Sequence, residues 1–253
     1  MTPRPSVSEQ TVHERPALVR RGFARAGWLE RRGLRYKRHP LVAFEQIRGS
    51  LRTGDIILFH KTTRNGFLDR FELDVLSPLL FEENEFRHSG IILRRNGELF
   101  VLECAEEFHS GYPDATYPTG GRGIRLVPLN LLLDAYRRDN GEPHFGVRFI
   151  FEEIPAEKIQ SAIESYRPIG YSRMQRSVPI FLAQFFLPKA LLREVFERHR
   201  DEMMCSEFVH SVLNRCGVLR DFPSKLFGPY SIENPRIFKA LEIVKYSDIV
   251  RFD

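Results

Sequence analysis

The stretch Arg87–Cys104, RHSGIILRRNGELFVLEC, decides how the rest of the chain is read. Gly90 to Arg94 and Glu98 to Cys104 are short, largely apolar runs joined by Asn96-Gly97. That dipeptide accepts the positive φ angles of a tight turn, so the two runs are expected to lie side by side as antiparallel strands. Upstream, Gly54-Asp55 punctuates the chain before Ile56-Ile57-Leu58-Phe59, a run that reads as a buried strand. Downstream, Ile124 to Val127 and Phe145 to Phe151 add strands, with a helix between them over Leu129 to Arg138. After Pro155 the apolar spacing turns helical, over Ala156 to Tyr166, Pro179 to Arg198 with a break near Pro188, Met203 to Cys216 and Pro235 to Val244. Gly217 stands where a C-terminal cap is expected. The class is α+β, strands first and helices later, with a mostly antiparallel sheet.

With 253 residues, 42% of them hydrophobic and 28% charged, the chain has the composition of an ordinary globular protein. Its net charge of +5 is unevenly placed. Residues 1–40 carry ten Arg or Lys against three Glu, a balance of +7 that leaves −2 for the remainder. Residues 1–40 are therefore expected to be a basic, partly flexible arm, and 41–253 the folded domain. Within the arm, 17–38 reads either as a short basic helix that contacts a membrane surface or an acidic partner, or as a solvated extension, and Gly22, Gly27 and Gly33 weaken the helix. Nucleic acid is not the expected partner, because the body is nearly neutral. Cys104, Cys205 and Cys216 form no CxxC pair and are odd in number, which argues against a disulfide framework and against a thiol-rich zinc site. The longest apolar stretch, Val178 to Leu187, is shorter than the roughly 20 residues of a spanning helix. A cytoplasmic protein is expected.

Three residue types carry the chemistry. Cys205 opens the helix read over Met203 to Cys216, where unpaired amides and the positive end of the helix dipole favour a thiolate and offer donors to an oxyanion. Taken alone, a cysteine beside methionines is more often a small buried apolar residue. His88 stands at the start of a strand, just before a glycine that leaves room for a neighbour. Glu103 is a carboxylate in an apolar strand across the hairpin; it either points to solvent or has a cationic or hydrogen-bonding partner. Neighbouring strands bring side chains together in pairs, so Glu103 is placed to orient the imidazole and support its charge. Cys104 and Cys216 read as structural thiols, no histidine spacing suits a metal, and no GxGxxG or P-loop implies a nucleotide, so no cofactor is expected.

Four segments in this order, Gly54-Asp55-Ile56-Ile57-Leu58-Phe59, His88-Ser89-Gly90-Ile91-Ile92, Val101-Leu102-Glu103-Cys104-Ala105 and Cys205-Ser206-Glu207-Phe208-Val209, resemble the circularly permuted papain-like branch related to NlpC-type peptidases. That branch takes in YiiX-like proteins and, more distantly, lecithin:retinol acyltransferase-like enzymes. The histidine precedes the cysteine, as permutation requires, and the resemblance spans about Leu51 to Phe252. It implies a papain-like fold with the nucleophile at a helix start packed on the sheet, Cys205 as nucleophile, His88 as general base and acid, and Glu103 as the third polar residue. Tyr171, Ser206 and Asp55 are implied more weakly, as substrate- or oxyanion-contacting positions. Two apolar insertions, 61–87 and 178–192, depart from the pattern and read either as a substrate wall or as core cover.

The function expected is a cysteine hydrolase acting on a peptide-type amide through an acyl-enzyme. A lipid-directed acyltransferase or esterase is the alternative, and a non-catalytic binding module of the same fold is the reading from outside enzymology.

Overall fold

The computed structural model describes residues 41–60, 86–105, 123–140, 144–164, 166, 170–171, 202–222 and 227–253. The basic arm expected over 1–40, most of the insertion 61–87, all of 178–192 and the helix expected over 179–198 lie outside the described residues.

The chain is α+β. Strands β1 (Ile56–Phe59), β2 (His88–Arg95), β3 (Glu98–Ala105), β4 (Gly123–Pro128), β5 (Phe145–Arg148) and β8 (Val250–Phe252) form one sheet in the order β4-β3-β2-β1-β5-β8. Every neighbouring pair in it is antiparallel. A separate pair, β6 (Gly170–Tyr171) and β7 (Glu202–Met203), is parallel. The helices are α1 (Phe44–Arg48), α2 (Leu129–Asn140), α3 (Ala156–Glu164), α4 (Cys205–Arg215), α5 (Pro229–Glu233) and α6 (Pro235–Leu241). Among the described residues no helix is long and apolar enough to cross a membrane.

The β2–β3 turn is the one the sequence dictates: Asn96 at φ 50° and Gly97 at φ 84° give a left-handed two-residue turn whose twist matches the strands, with Arg95 opposite Glu98. Strand alternation then sorts the side chains. Ile91, Leu93, Leu102 and Cys104 face α3 and α4, while Ile92 and Val101 face α2. Because both faces are covered, β1 is buried at every position, which explains why its sequence is apolar throughout and does not alternate. Phe208, Val209, Val212 and Leu213 of α4 are fully buried against the sheet, each contributing about 1.5–3 kcal/mol of apolar burial.

β5 is shorter than its apolar sequence predicts. It ends at Arg148 because the next amides are taken by other partners: the Ser247 hydroxyl accepts from Phe149 at 3.0 Å and the Asp55 carboxylate accepts from Ile150 at 2.7 Å. Arg148 itself is buried, donating to the carbonyls of Ile232 and Ser247 at 2.8 and 2.9 Å. It anchors α5 and the segment before β8 to the sheet.

One irregularity positions the site. β2 stays paired with β1 down to His88, and β3 stays paired with β4 up to Ala105. The ladder between β2 and β3, however, ends at Ile91 and Leu102. The sheet is thus split over 88–90 and 103–105, and the chain entering α4 occupies the split. Cys104 Sγ donates to the Met203 carbonyl at 3.5 Å, and the Ser89 amide donates to the sulfur of Cys205. A backbone donor freed from the ladder has found a partner, as a buried one must.

Candidate active site

Cys205 is the first residue of α4, after Met204 in an extended conformation at φ −83° and ψ 162°. Its amide and that of Ser206 fall in the first turn, where no carbonyl of the helix can accept from them. The side chain is buried and hydrogen-bonds His88, which approaches from the start of β2. The other side of the imidazole is held by a carboxylate, with His88 Nε2 and Glu103 Oε2 2.6 Å apart. Since Nε2 is committed to Glu103, Nδ1 is the nitrogen left for the sulfur.

His88 and Glu103 meet diagonally. Extending the β2–β3 register of Ile91 with Leu102 sets Glu103 level with Gly90, two residues from His88 on the same face. A Cβ at Gly90 would lie 2.5 Å from Val101 Cγ1 and 3.5 Å from Glu103 Cβ. The bare glycine is what leaves room for the imidazole and the carboxylate to touch across it.

Glu103 has a second partner that sequence reasoning missed. Arg125 stands directly opposite it in the β3–β4 register, and Arg125 Nε donates to Glu103 Oε1 at 2.6 Å. Its Nη2 closes on the same oxygen. A signal existed: Arg125 is a lone cation between Ile124 and Leu126 in a strand of apolar residues. What sequence could not supply was the register, because residues 106–122 separate the two strands. Ser89 was missed as well. Its amide donates to the Cys205 sulfur, and its buried hydroxyl faces the same atom.

The charges are mutually dependent. Burial opposes ionisation of Glu103, but Arg125 and then His88 outweigh it and hold the carboxyl down at about 2. Burial likewise opposes charge on His88, and the neighbouring Cys205 and Glu103 override it and raise the ring well above its ordinary range. For Cys205 burial pushes the thiol up, while the His88 charge and hydrogen bond, with the Ser89 donors, bring it below its ordinary value. Together these favour a thiolate beside an imidazolium, backed by an ionised carboxylate.

The weaker sequence candidates fall differently. Ser206 follows Cys205 and is buried, with a hydroxyl that has no hydrogen-bond partner among the described residues. The backbone of Tyr171 lies in β6, which runs against β3 and β4; its side chain lies outside the described residues. Asp55 lies at the other end of β1 from His88. Its carboxylate accepts from the amides of Arg52 and Ile150, each at 2.7 Å, and it precedes β1 while His88 is level with Phe59 at the other end. Four residues of strand separate them, about 13 Å at ~3.3 Å per residue, so Asp55 serves as a clasp between loops away from the sulfur. Cys104 Sγ donates to the Met203 carbonyl, and burial raises the thiol of Cys216. Among the described residues no three His, Cys, Asp or Glu side chains are grouped to hold a metal.

No family model matches the chain. It is 33% identical over 221 residues to the uncharacterized protein R372 of Acanthamoeba polyphaga mimivirus, covering 83% of this chain and 84% of that protein. Among solved structures it is similar to the metalloprotein YiiX of Escherichia coli O157:H7, with 17% identity over 78% of this chain and 88% of that one and a TM-score of 0.37. A likeness that slight carries no argument about chemistry.

Proposed function

We propose, for a chain that belongs to the family of the mimivirus protein R372, that it is a cysteine hydrolase of permuted papain-like build, cleaving amides through an acyl-enzyme. The name of that family member carries no chemistry, so the reading rests on the site. The observation that carries it is the hydrogen-bonded series Cys205, His88, Glu103, with the sulfur at the start of α4. Its support for a permuted papain-like build is the order of parts, imidazole on an early strand and thiol on a later helix.

In this reading the Cys205 thiolate attacks the carbonyl carbon, and the electrons displaced onto oxygen are received by the first-turn amides of α4. The tetrahedral adduct collapses as His88 gives its proton to the leaving nitrogen, releasing an amine and leaving a thioester on Cys205. Water then attacks the thioester while His88 takes its proton. The acid is released, and the proton held by His88 restores the starting ion pair. Glu103 keeps the ring oriented and supports its charge throughout. The chemistry is assigned to residues 41–253, with 1–40 as an arm.

The test is trapping with peptide-amide and acyl-ester probes, with the adduct mapped by mass spectrometry. The parent protein should carry an acyl group on Cys205, and Cys205→Ala and His88→Ala should carry none there. Turnover of ester or thioester probes with transfer to an added amine or alcohol, and none of amides, would move the assignment to an acyltransferase. Absence of any adduct on Cys205 would leave a binding module.

A further inference from the structure

Glu103 is fully buried, and its two oxygens are divided between two partners: Oε2 lies 2.6 Å from His88 Nε2, and Oε1 receives Arg125 Nε at 2.6 Å. A carboxylate held on one oxygen only would be free to rotate and to take up a proton in so dry a setting. Arg125 prevents both, because its Nε and Nη2 reach the same oxygen side by side, a geometry that lysine lacks. The arginine side chain is 14% exposed, so solvent screens the contact little.

We propose that Arg125 is a positioning residue of this site, fixing Glu103 so that its free oxygen is presented to His88, and acting on Cys205 only through that carboxylate. The proposal rests on the function given above. Among the described residues, the groups facing Glu103 are Arg125 from β4 and His88 from β2, and Cys205 of α4 faces His88 in turn. On α2, which packs on the same face, Asp134 and Arg137 pair with each other at 3.1 Å in an exposed position. Without Arg125, burial would push Glu103 upward, the neutral acid would cease to support the imidazolium, and the thiolate would be lost at a higher pH.

The test is the rate of Cys205 alkylation by iodoacetamide, mapped by mass spectrometry against pH in the full chain. The parent should show an acid limb well below the ordinary thiol value of 9.0. Arg125→Gln should move that limb upward by about one unit, a rate about tenfold lower on the limb, and Arg125→Lys should fall between. Glu103→Gln should reproduce the shift, and adding Arg125→Gln to it should change the rate by less than about twofold. Should Arg125→Gln alone fail to fold, this last pair decides, since the double variant leaves no lone buried charge. A limb that stays in place, a loss uniform at all pH values, or a further shift in the Glu103→Gln background would overturn the proposal. Parent labelling at Cys205 as slow as at Cys104 and Cys216 would instead sink the proposed function, and this inference with it.

Discussion

Gly90→Ala is the sharpest perturbation the geometry offers. Its added Cβ would stand 2.5 Å from Val101 Cγ1 and 3.1 Å from the Leu102 carbonyl oxygen, where carbon contacts settle at ~3.5–4.0 Å. About 1 Å must be found. Val101 is fully buried and β-branched, so its χ1 yields little, and Leu102 is held in the β2–β3 and β3–β4 ladders. Overpacking of this kind costs about 1–3 kcal/mol. Replacing a glycine at a conformation open to alanine returns about 0.4–1 kcal/mol through the unfolded chain. The net expectation is a loss of roughly 1–2 kcal/mol in chemical denaturation. The same displacement stretches the 2.6 Å contact of His88 with Glu103, so Cys205 alkylation should slow, by about tenfold for each pKa unit lost. Gly49→Ala is the matched control, with φ −63° and nothing within 4 Å of the new Cβ; it should be neutral or slightly stabilising. A Gly90→Ala protein as stable as the Gly49→Ala control and labelled at the parent rate would refute the reasoning about the close approach.

Two further outcomes follow from the charges. Glu103, held at about 2 against 4.5, contributes stability that is present above pH 4.5 and lost as pH falls through about 2. His88, raised from 6.5 to about 10, contributes stability that is present below 6.5 and lost as pH rises through about 10, while Cys205, lowered from 9.0, gives up the proton that His88 keeps. The two therefore offset each other from pH 6.5 to 9.0, and denaturation midpoints should be level there and fall on either side; a steady decline across that interval would contradict the ion pair. Asp55→Ala leaves the amides of Arg52 and Ile150 without this acceptor and should cost about 2–4 kcal/mol with Cys205 labelling in the folded protein unchanged. Normal stability with slowed labelling would return Asp55 to the site.

The fold was legible where local chemistry fixes it. Asn96-Gly97 gave the turn and through it the β2–β3 register, Ile56 to Phe59 gave β1 to the residue, and Leu129 gave the start of α2. The thiol at a helix start and the imidazole at a strand start were legible for the same reason. Contacts set by long-range register were not. Arg125 is paired with Glu103 only because β4 happens to align with β3 across residues 106–122, and no local pattern encodes that. The contacts of Asp55 have a similar origin, since one partner amide belongs to Ile150, 95 residues away. The early end of β5 follows from the same contact and from Ser247, neither of which apolar periodicity can register.

The split in the sheet imposes an order of assembly on reactivity. Its walls are laid down by residues 88–90 and 103–105, yet what fills it is encoded about a hundred residues later, at 203–205. Residues 56–128, which make β1 to β4, are synthesised well before residue 205, and until that late segment is in place the thiol has no imidazole to trade a proton with. The depressed thiol is therefore a property of the folded chain, and an unfolded one carries an ordinary cysteine.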